Sequence, residues 1–179
     1  MKPVIIINTF KTIIFHESKK PIVICDIDHT FIRPKLDYNE FYEKLPYKYY
    51  HPTELHKMVI YMLKYSMNKG LVKQTDKEGF TLLLERIEKL GGKLIFLTAR
   101  SSIAHEKTIN DLISVGLQNP QQFDIFYTGN QIDKGDYIKK YNLLAGYDHP
   151  IFIDDYPHFL DSASRIFPEM DCYLFTYKR

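Results

Sequence analysis

Cysteine is scarce in this 179-residue sequence, tryptophan is absent, and no long apolar run occurs. The two cysteines, Cys25 and Cys172, are too few for a disulfide framework and do not have the spacing of zinc ligands. So little cysteine is typical of a reducing compartment, and we therefore expect a cytoplasmic protein. Polar residues interrupt the apolar amino terminus at Asn8, Thr9 and Lys11, well short of the ~20 apolar residues that cross a bilayer. No membrane span and no cleaved leader are expected.

A strong charge imbalance is also missing. Lys and Arg number 24 and Asp and Glu number 22, which gives a net charge of +2 at neutral pH. Proteins that bind the phosphate backbone of nucleic acids usually carry a much larger positive excess, so general nucleic-acid binding is disfavoured. The apolar fraction of 45% is too high for a disordered chain. At this length about 70% of the chain surface is buried on folding, so we expect one domain with its own core.

Short apolar runs alternate along the chain with segments of helical periodicity. The run at 22–25 has no polar alternation, which indicates a strand covered on both faces, as in a parallel sheet. Further strands are predicted at 4–7, 94–97, 125–127, 151–153 and 173–175, and helices at 10–14, 80–90, 109–116, 138–144 and over about ten residues from Pro157. This alternation predicts an α/β fold with a doubly wound, mostly parallel sheet. In such folds the chemistry lies beyond the carboxyl ends of the strands.

One long segment, 33–77, breaks this alternation. It is rich in Tyr and Lys, and Leu55, Val59, Met62 and Leu63 are spaced for a helix. A loop of about 45 residues without secondary structure is uncommon in a compact domain. We therefore predict a small helical insertion at 33–77 in an α/β core formed by 1–32 and 78–179.

Polar residues suited to catalysis or binding follow several predicted strands. The set comprises Asp26 and Asp28 after the strand at 22–25, Thr98 and Arg100 after the strand at 94–97, Lys134 before a helix start at Gly135-Asp136, and Asp154 and Asp155 after the strand at 151–153. Each has an ordinary explanation when taken alone, since Asp-rich turns and helix caps are common. Their joint position at the carboxyl ends of parallel strands indicates a site.

Four of these residues are aspartates, and their charges need compensation. Two carboxylates about 4 Å apart repel by ~4 kcal/mol at an effective dielectric constant of about 20. Oxygen ligands without a nearby His or Cys at metal spacing favour a hard cation, and we predict Mg²⁺. Thr98 and Lys134 would face the cation and hold a phosphoryl group between them. A calcium loop that starts at Asp26 is excluded, because its sixth position is Phe31 rather than Gly and its twelfth is Asp37 rather than Glu.

These motifs resemble those of the haloacid dehalogenase (HAD) superfamily of phosphatases and phosphotransferases, including its uncharacterised bacterial and viral members. The segment at 26–30, DIDHT, matches the first motif D-x-D-x-T, and Thr98, Lys134 and the Asp154-Asp155 pair match the second, third and fourth. The motifs follow the order of the superfamily and extend over about residues 21–176. Response-regulator receivers use the same residue types but place the acidic pair first, so that alternative is disfavoured. The resemblance implies a Rossmann-like α/β core.

The resemblance also implies a role for each matched acid. Asp26 would be the nucleophile that forms an aspartyl-phosphate, and Asp28 would protonate the leaving oxygen and then activate water. Asp28 is expected to carry a proton when the substrate arrives. Mg²⁺ would be held by Asp26, by the backbone carbonyl of Asp28 and by Asp154, with Asp155 as a further ligand or as the holder of a metal-bound water.

The phosphoryl oxygens would be held by Thr98 and Lys134, and Lys134 would also orient the nucleophile. Arg100, just after Thr98, is a further candidate for a phosphate contact, with a surface ion pair as the alternative. Thr30 is expected to stabilise the turn after the first strand of the motif. Superfamily members with an aspartate at the position of Asp28 are usually phosphohydrolases, so dehalogenation is disfavoured.

In this superfamily an insertion between the first two motifs acts as a cap over the substrate. In the segment 33–77, nine Lys or Arg and five acidic residues leave a net charge of +4. We therefore predict a Mg²⁺-dependent phosphomonoester hydrolase that acts on a small phosphorylated substrate such as a nucleotide, or on a phosphorylated nucleic-acid end, with no stable protein partner. A non-catalytic binding or regulatory module and a phosphotransferase remain as alternatives.

Overall fold

A sheet of six parallel strands forms the centre of the protein. The computed structural model describes residues 2–17, 19–35, 66–67 and 69–176. Its strands are β1 (Ile5–Ile7), β2 (Pro21–Cys25), β3 (Ile32–Pro34), β4 (Val72–Gln74), β5 (Lys93–Thr98), β6 (Asp124–Tyr127), β7 (His149–Asp154) and β8 (Asp171–Phe175). The main sheet has the order β1-β8-β7-β2-β5-β6 with every neighbouring pair parallel. This confirms the predicted α/β fold.

The central strand β2 is buried on both faces, as its uninterrupted apolar run predicts. Val23 and Cys25 pack into the core on one face of the sheet, whereas Ile22 and Ile24 pack into the core on the other. Because successive side chains of a strand point to opposite faces, an all-apolar strand serves two cores at once. Both faces of the sheet are thus covered by apolar side chains around β2. Polar functional residues are therefore expected at the ends of the strands.

Among the described residues, two α-helices pack on each face of the sheet. The helices α1 (Lys77–Lys89) and α2 (His105–Ser114) contribute to one core, and α3 (Lys134–Lys140) and α4 (Pro157–Ile166) to the other. Helix α1 begins at the cap Asp76, whose Oδ1 accepts from the amide of Gly79 at 2.9 Å, and ends before Gly91, which has a φ of 63°. In the described part of the chain, no helix combines the length and apolarity needed to span a membrane.

Two predicted helices continue past the residue at which the helix ends in the structure. The segment 10–14 contains a single 3₁₀ turn, Phe10–Thr12. The helix predicted at 138–144 ends at Lys140, because Asn142 has a φ of 50° and the amide of Leu143 donates to the carbonyl of Ile138 at 3.1 Å. A left-handed residue with this hydrogen bond terminates a helix even where the apolar spacing continues.

The insertion leaves and rejoins the core through a short antiparallel ribbon. Strands β3 and β4 pair from Ile32 with Gln74 to Pro34 with Val72. The hydroxyl of Thr75 donates to the carbonyl of Thr30 at 2.5 Å, which attaches the returning strand to the loop after β2. The described ends of the insertion are therefore strands, whereas Ser66 and Met67 are helical. Residues 36–65 and 68, with the predicted helix, lie outside the described residues, and the division into core and insertion stays a prediction.

Candidate active site

Three adjacent strands bring predicted site residues together. Asp26 follows β2, Thr98 ends β5 and Asp154 ends β7, and β2 lies between the other two strands. The Asp26 amide donates to the carbonyl of Ile153 at 2.9 Å, which extends the pairing of β2 and β7 into the site. Asp26, Thr98 and Asp154 are all buried. They lie at the edge of the sheet where parallel α/β folds bind their ligands.

Lys134 joins two of these carboxylates. It is the first residue of α3 and is only 1% exposed. Its Nζ donates to Asp26 Oδ1 at 2.5 Å and to Asp154 Oδ2 at 2.7 Å. Burial alone would lower the pKa of Lys134, but the charges of Asp26 and Asp154 and the hydrogen bonds to them raise it above its ordinary value. The side chain is therefore a buried ammonium between two acids.

The position of Lys134 depends on how closely α3 approaches α4. The cap Asp133 accepts from the amide of Gly135 at 3.1 Å and so fixes the first turn of α3. Gly135 lies so close to α4 that a Cβ built on it would be 2.6 Å from Ser162 Oγ and 2.8 Å from the Ala163 amide nitrogen. Only glycine permits this approach without a shift of one helix.

We expect Gly135→Ala to destabilise the fold by ~1–3 kcal/mol, the usual cost of overpacking, although alanine is the better helix former. The shift of α3 that relieves the clash would also move Lys134 away from Asp26. Urea unfolding measures the change, and Asp136→Ala at the next, exposed position is the matched control. An unchanged unfolding midpoint for Gly135→Ala would show that the two helices separate without cost.

Asp155 completes a group of three carboxylates. One oxygen each of Asp26, Asp154 and Asp155 lies within 4.8 Å of the others. Burial raises the pKa of Asp26 and of Asp155 to about 7 and also raises the pKa of Asp154, even though Lys134 lowers all three. Two of the three residues are buried, and Lys134 alone does not balance three carboxylates. Such a set of oxygen ligands is suited to a hard divalent cation. The group is therefore a candidate metal site, and Asp28 was expected to add only its backbone carbonyl.

A second group of potential ligands lies at the opposite ends of the strands. His16, His149 and Asp171 have ligand atoms within 4.8 Å of one another, and His149 and Asp171 begin β7 and β8. His149 Nε2 and Asp171 Oδ2 are 2.7 Å apart, and Lys2 Nζ donates to Asp171 Oδ1 at 2.6 Å. Lys2 already balances the charge of Asp171, the one acid of this group. A bound cation is therefore less favoured here than at the three aspartates.

Asp28 faces Arg100 rather than the other acids. The guanidinium Nε donates to Asp28 Oδ2 at 2.8 Å and its NH2 donates to Asp28 Oδ1 at 2.7 Å. Arg100 thus forms an ion pair, as its alternative role predicts, but its side chain is only 12% exposed, so the pair lies mostly below the surface. Both oxygens of Asp28 therefore accept from the same guanidinium, which makes the pair bidentate. That Asp28 carries a proton when the substrate arrives stays a prediction.

Sequence reasoning did not identify the residues behind Arg100. Its NH1 donates to Asp111 Oδ2 at 2.8 Å and to Thr108 Oγ1 at 3.0 Å. Thr108, Asp111 and Leu112 are the buried residues of α2. An acid within the apolar stripe of a helix was the available signal, since a buried charge nearly always has a partner.

Comparisons with known proteins identify the family of this chain. The family model of the HAD superfamily, subfamily IIIB (acid phosphatase), matches residues 4–141, which include Asp26, Thr98 and Lys134 but not Asp154 or Asp155. A comparison with curated proteins gives no match.

Two solved structures are similar to this chain. One is an archaeal β-phosphoglucomutase from the hyperthermophilic Pyrococcus sp. strain ST 04, with 16% identity over 82% of this chain and 83% of that chain and a TM-score of 0.49. The other, from Thermotoga maritima, is of the β-phosphoglucomutase type, with 13% identity over 89% of this chain and 88% of that chain and a TM-score of 0.48. Since the family model covers well over half of the sequence, the chain belongs to the HAD superfamily, subfamily IIIB, and is a HAD-type phosphatase.

Proposed function

We propose that this phosphatase is Mg²⁺-dependent and hydrolyses phosphomonoesters through an aspartyl-phosphate on Asp26. The observation that carries the proposal is Lys134, a buried ammonium that donates to both Asp26 and Asp154 at the carboxyl ends of β2 and β7. A fixed positive charge beside the carboxylate allows a phosphate dianion to approach an anionic nucleophile. The alternative of a non-catalytic module is disfavoured, because every position of the catalytic motifs is filled.

The first step transfers the phosphoryl group to the protein. An oxygen of Asp26 attacks phosphorus, and the bond between phosphorus and the leaving oxygen breaks as the leaving oxygen takes a proton from Asp28. Lys134 and the hydroxyl of Thr98 hold the phosphoryl oxygens. The Thr98 Oγ1 accepts from the amide of Arg100 at 3.2 Å, so its own proton is available to the substrate.

The second step returns Asp26 to its initial state. Water attacks phosphorus, Asp28 takes the proton of the water, and the bond from phosphorus to Asp26 breaks to release inorganic phosphate. Bound Mg²⁺ would neutralise the charge that develops on the phosphoryl group. Asp26, Asp154 and Asp155, with the carbonyl of Asp28, would hold the ion.

The substrate is proposed to be a small phosphorylated molecule such as a nucleotide, or a phosphorylated nucleic-acid end. The net charge of +4 in the segment 33–77 supports an anionic substrate. A cytoplasmic location is supported by the two cysteines, which are both free and buried.

We expect the purified protein to hydrolyse 4-nitrophenyl phosphate with Mg²⁺ and to lose the activity after chelation. The ion stabilises the transition state by several kcal/mol, so its removal should lower the rate by about a hundredfold or more, and Mg²⁺ should restore it. Activity that is unchanged after chelation would contradict the metal requirement. A panel of nucleotides, 3′- and 5′-phosphorylated oligonucleotides and sugar phosphates then tests the substrate, and turnover of the sugar phosphates alone would overturn the nucleotide proposal.

A further inference from the structure

Three side chains, those of Asp28, Asp111 and Thr108, accept hydrogen bonds from Arg100. A guanidinium has five N–H donors, and at least four of those in Arg100 are engaged. Nε and NH2 donate to the two oxygens of Asp28, and NH1 donates to Asp111 and Thr108. Thr108 Oγ1 in turn donates to the carbonyl of Ala104 at 2.8 Å, so the hydroxyl is fixed to the backbone at the residue just before α2. Arg100 therefore has little hydrogen-bonding capacity left for a phosphate.

The charges around Arg100 are also balanced. Lys107 Nζ donates to Asp111 Oδ2 at 2.6 Å, so the acids Asp28 and Asp111 face the cations Arg100 and Lys107. Asp111 has a side-chain exposure of only 3%. Burial alone would lower the pKa of Arg100, but the hydrogen bonds to Asp28 and the charges of Asp28 and Asp111 raise it above its ordinary value. A phosphate that binds Arg100 would have to displace a bidentate carboxylate.

We propose that Arg100 and Asp111 are positioning residues that act through Asp28, and that Arg100 does not bind the substrate phosphate. The proposal deepens the proposed function and rests on it. A bidentate guanidinium fixes both the orientation of the carboxylate plane and its distance from the guanidinium. A single hydrogen bond fixes the distance but leaves the plane free to rotate. Asp111 anchors that guanidinium to α2, so the carboxylate that exchanges protons with the leaving oxygen and with water is held by the core.

Lys107 extends the network to the insertion. Its Nζ also donates to the carbonyl of Met67 at 2.8 Å, near the point where the chain returns towards β4. The same lysine therefore contacts both the anchor of Arg100 and the carboxyl end of the insertion.

A double-mutant cycle tests the proposal with 4-nitrophenyl phosphate. Arg100→Lys keeps the positive charge but cannot form the bidentate pair with Asp28. Asp111→Asn keeps the shape of the side chain but removes the negative charge that pairs with Arg100. We expect each to lower kcat about 10- to 100-fold, within the range of general acid–base catalysis, with a KM and an inhibition constant of inorganic phosphate changed less than about threefold. In the Asp28→Asn background the same substitutions should lower kcat less than about twofold, because a positioning residue has no effect once its target is gone.

Three results would overturn the proposal. The first is a decrease in kcat in the Asp28→Asn background that is as large as the decrease in the unmodified protein. The second is a tenfold weaker inhibition by phosphate in Arg100→Lys, which would mean that Arg100 binds the phosphate. The third is an unchanged kcat in both single variants.

Thermal unfolding confirms that the compared variants are folded. If Arg100→Lys does not fold, the cycle of Asp111→Asn with Asp28→Asn carries the same test. The proposed function fails separately, if the unmodified protein hydrolyses no phosphomonoester or if Asp26→Asn remains active.

Discussion

Asp26→Asn is expected to lower phosphatase activity by at least ~10³-fold, because an amide oxygen cannot form the aspartyl-phosphate. The rate of 4-nitrophenyl phosphate hydrolysis measures the loss. Asp136→Asn, the same change at an exposed position of α3, is the control and should retain full activity. If Asp26→Asn kept a substantial rate, the nucleophile would be a different residue.

The same substitution should leave the metal-free fold as stable at pH 8 or make it more stable. Burial raises the pKa of Asp26 to about 7, whereas in the unfolded chain the pKa of this carboxyl has its ordinary value of 3.8. Between these values the folded protein binds more protons than the unfolded chain, so the stability contributed by Asp26 falls as the pH rises from about 4 to 7. Asn carries no charge that burial would penalise, so Asp26→Asn should reduce the change in the free energy of unfolding between about pH 4 and pH 7. Urea unfolding with chelator at pH 5 and pH 8 measures it, and a lower stability of Asp26→Asn at pH 8 would contradict it.

Lys134→Met is expected to remove activity and to lower the free energy of unfolding by ~3–5 kcal/mol at pH 8. Methionine fills a similar volume, but it leaves Asp26 and Asp154 without the ammonium that bonds to both. The remaining charges are those of two buried acids and the half-buried Asp155, with ligand oxygens within 4.8 Å of one another. At pH 5 the loss should be smaller, since the pKa values of these acids are raised and protonation removes their repulsion.

Two further variants make this test specific. Lys139→Met, at an exposed position of the same helix, should be close to neutral. The double variant Lys134→Met with Asp26→Asn should recover part of the lost stability, because one of the unpaired charges is gone. Equal stabilities of Lys134→Met at pH 5 and pH 8 would indicate that packing, rather than charge, accounts for the loss.

The strands and the order of the motifs could be predicted because both depend on local sequence. An apolar run such as 22–25 has little alternative to a buried strand, and the residues that follow it must lie at a strand end. Helix ends were less predictable. The spacing of Ile138, Tyr141 and Leu144 continues the helical period past Lys140, but the left-handed Asn142 ends the helix.

The partners of Arg100 depend on contacts between residues distant in sequence, which periodicity does not contain. Asp28 and Arg100 are 72 positions apart, and the anchor Asp111 is on a helix that contributes no predicted motif. The ribbon of β3 and β4 was missed for a related reason. Three-residue strands are too short to show alternation, and their partners lie some forty positions apart along the chain.

The ribbon has a consequence for how this protein can change during evolution. Pro34 and Val72 are paired across it, so the two chain ends that carry the inserted segment are held side by side by the core itself. Closing a longer or shorter loop between fixed neighbours costs little, since the entropy of closure grows only slowly with length. A change in the length of the segment between them should therefore leave the catalytic strand ends unaltered.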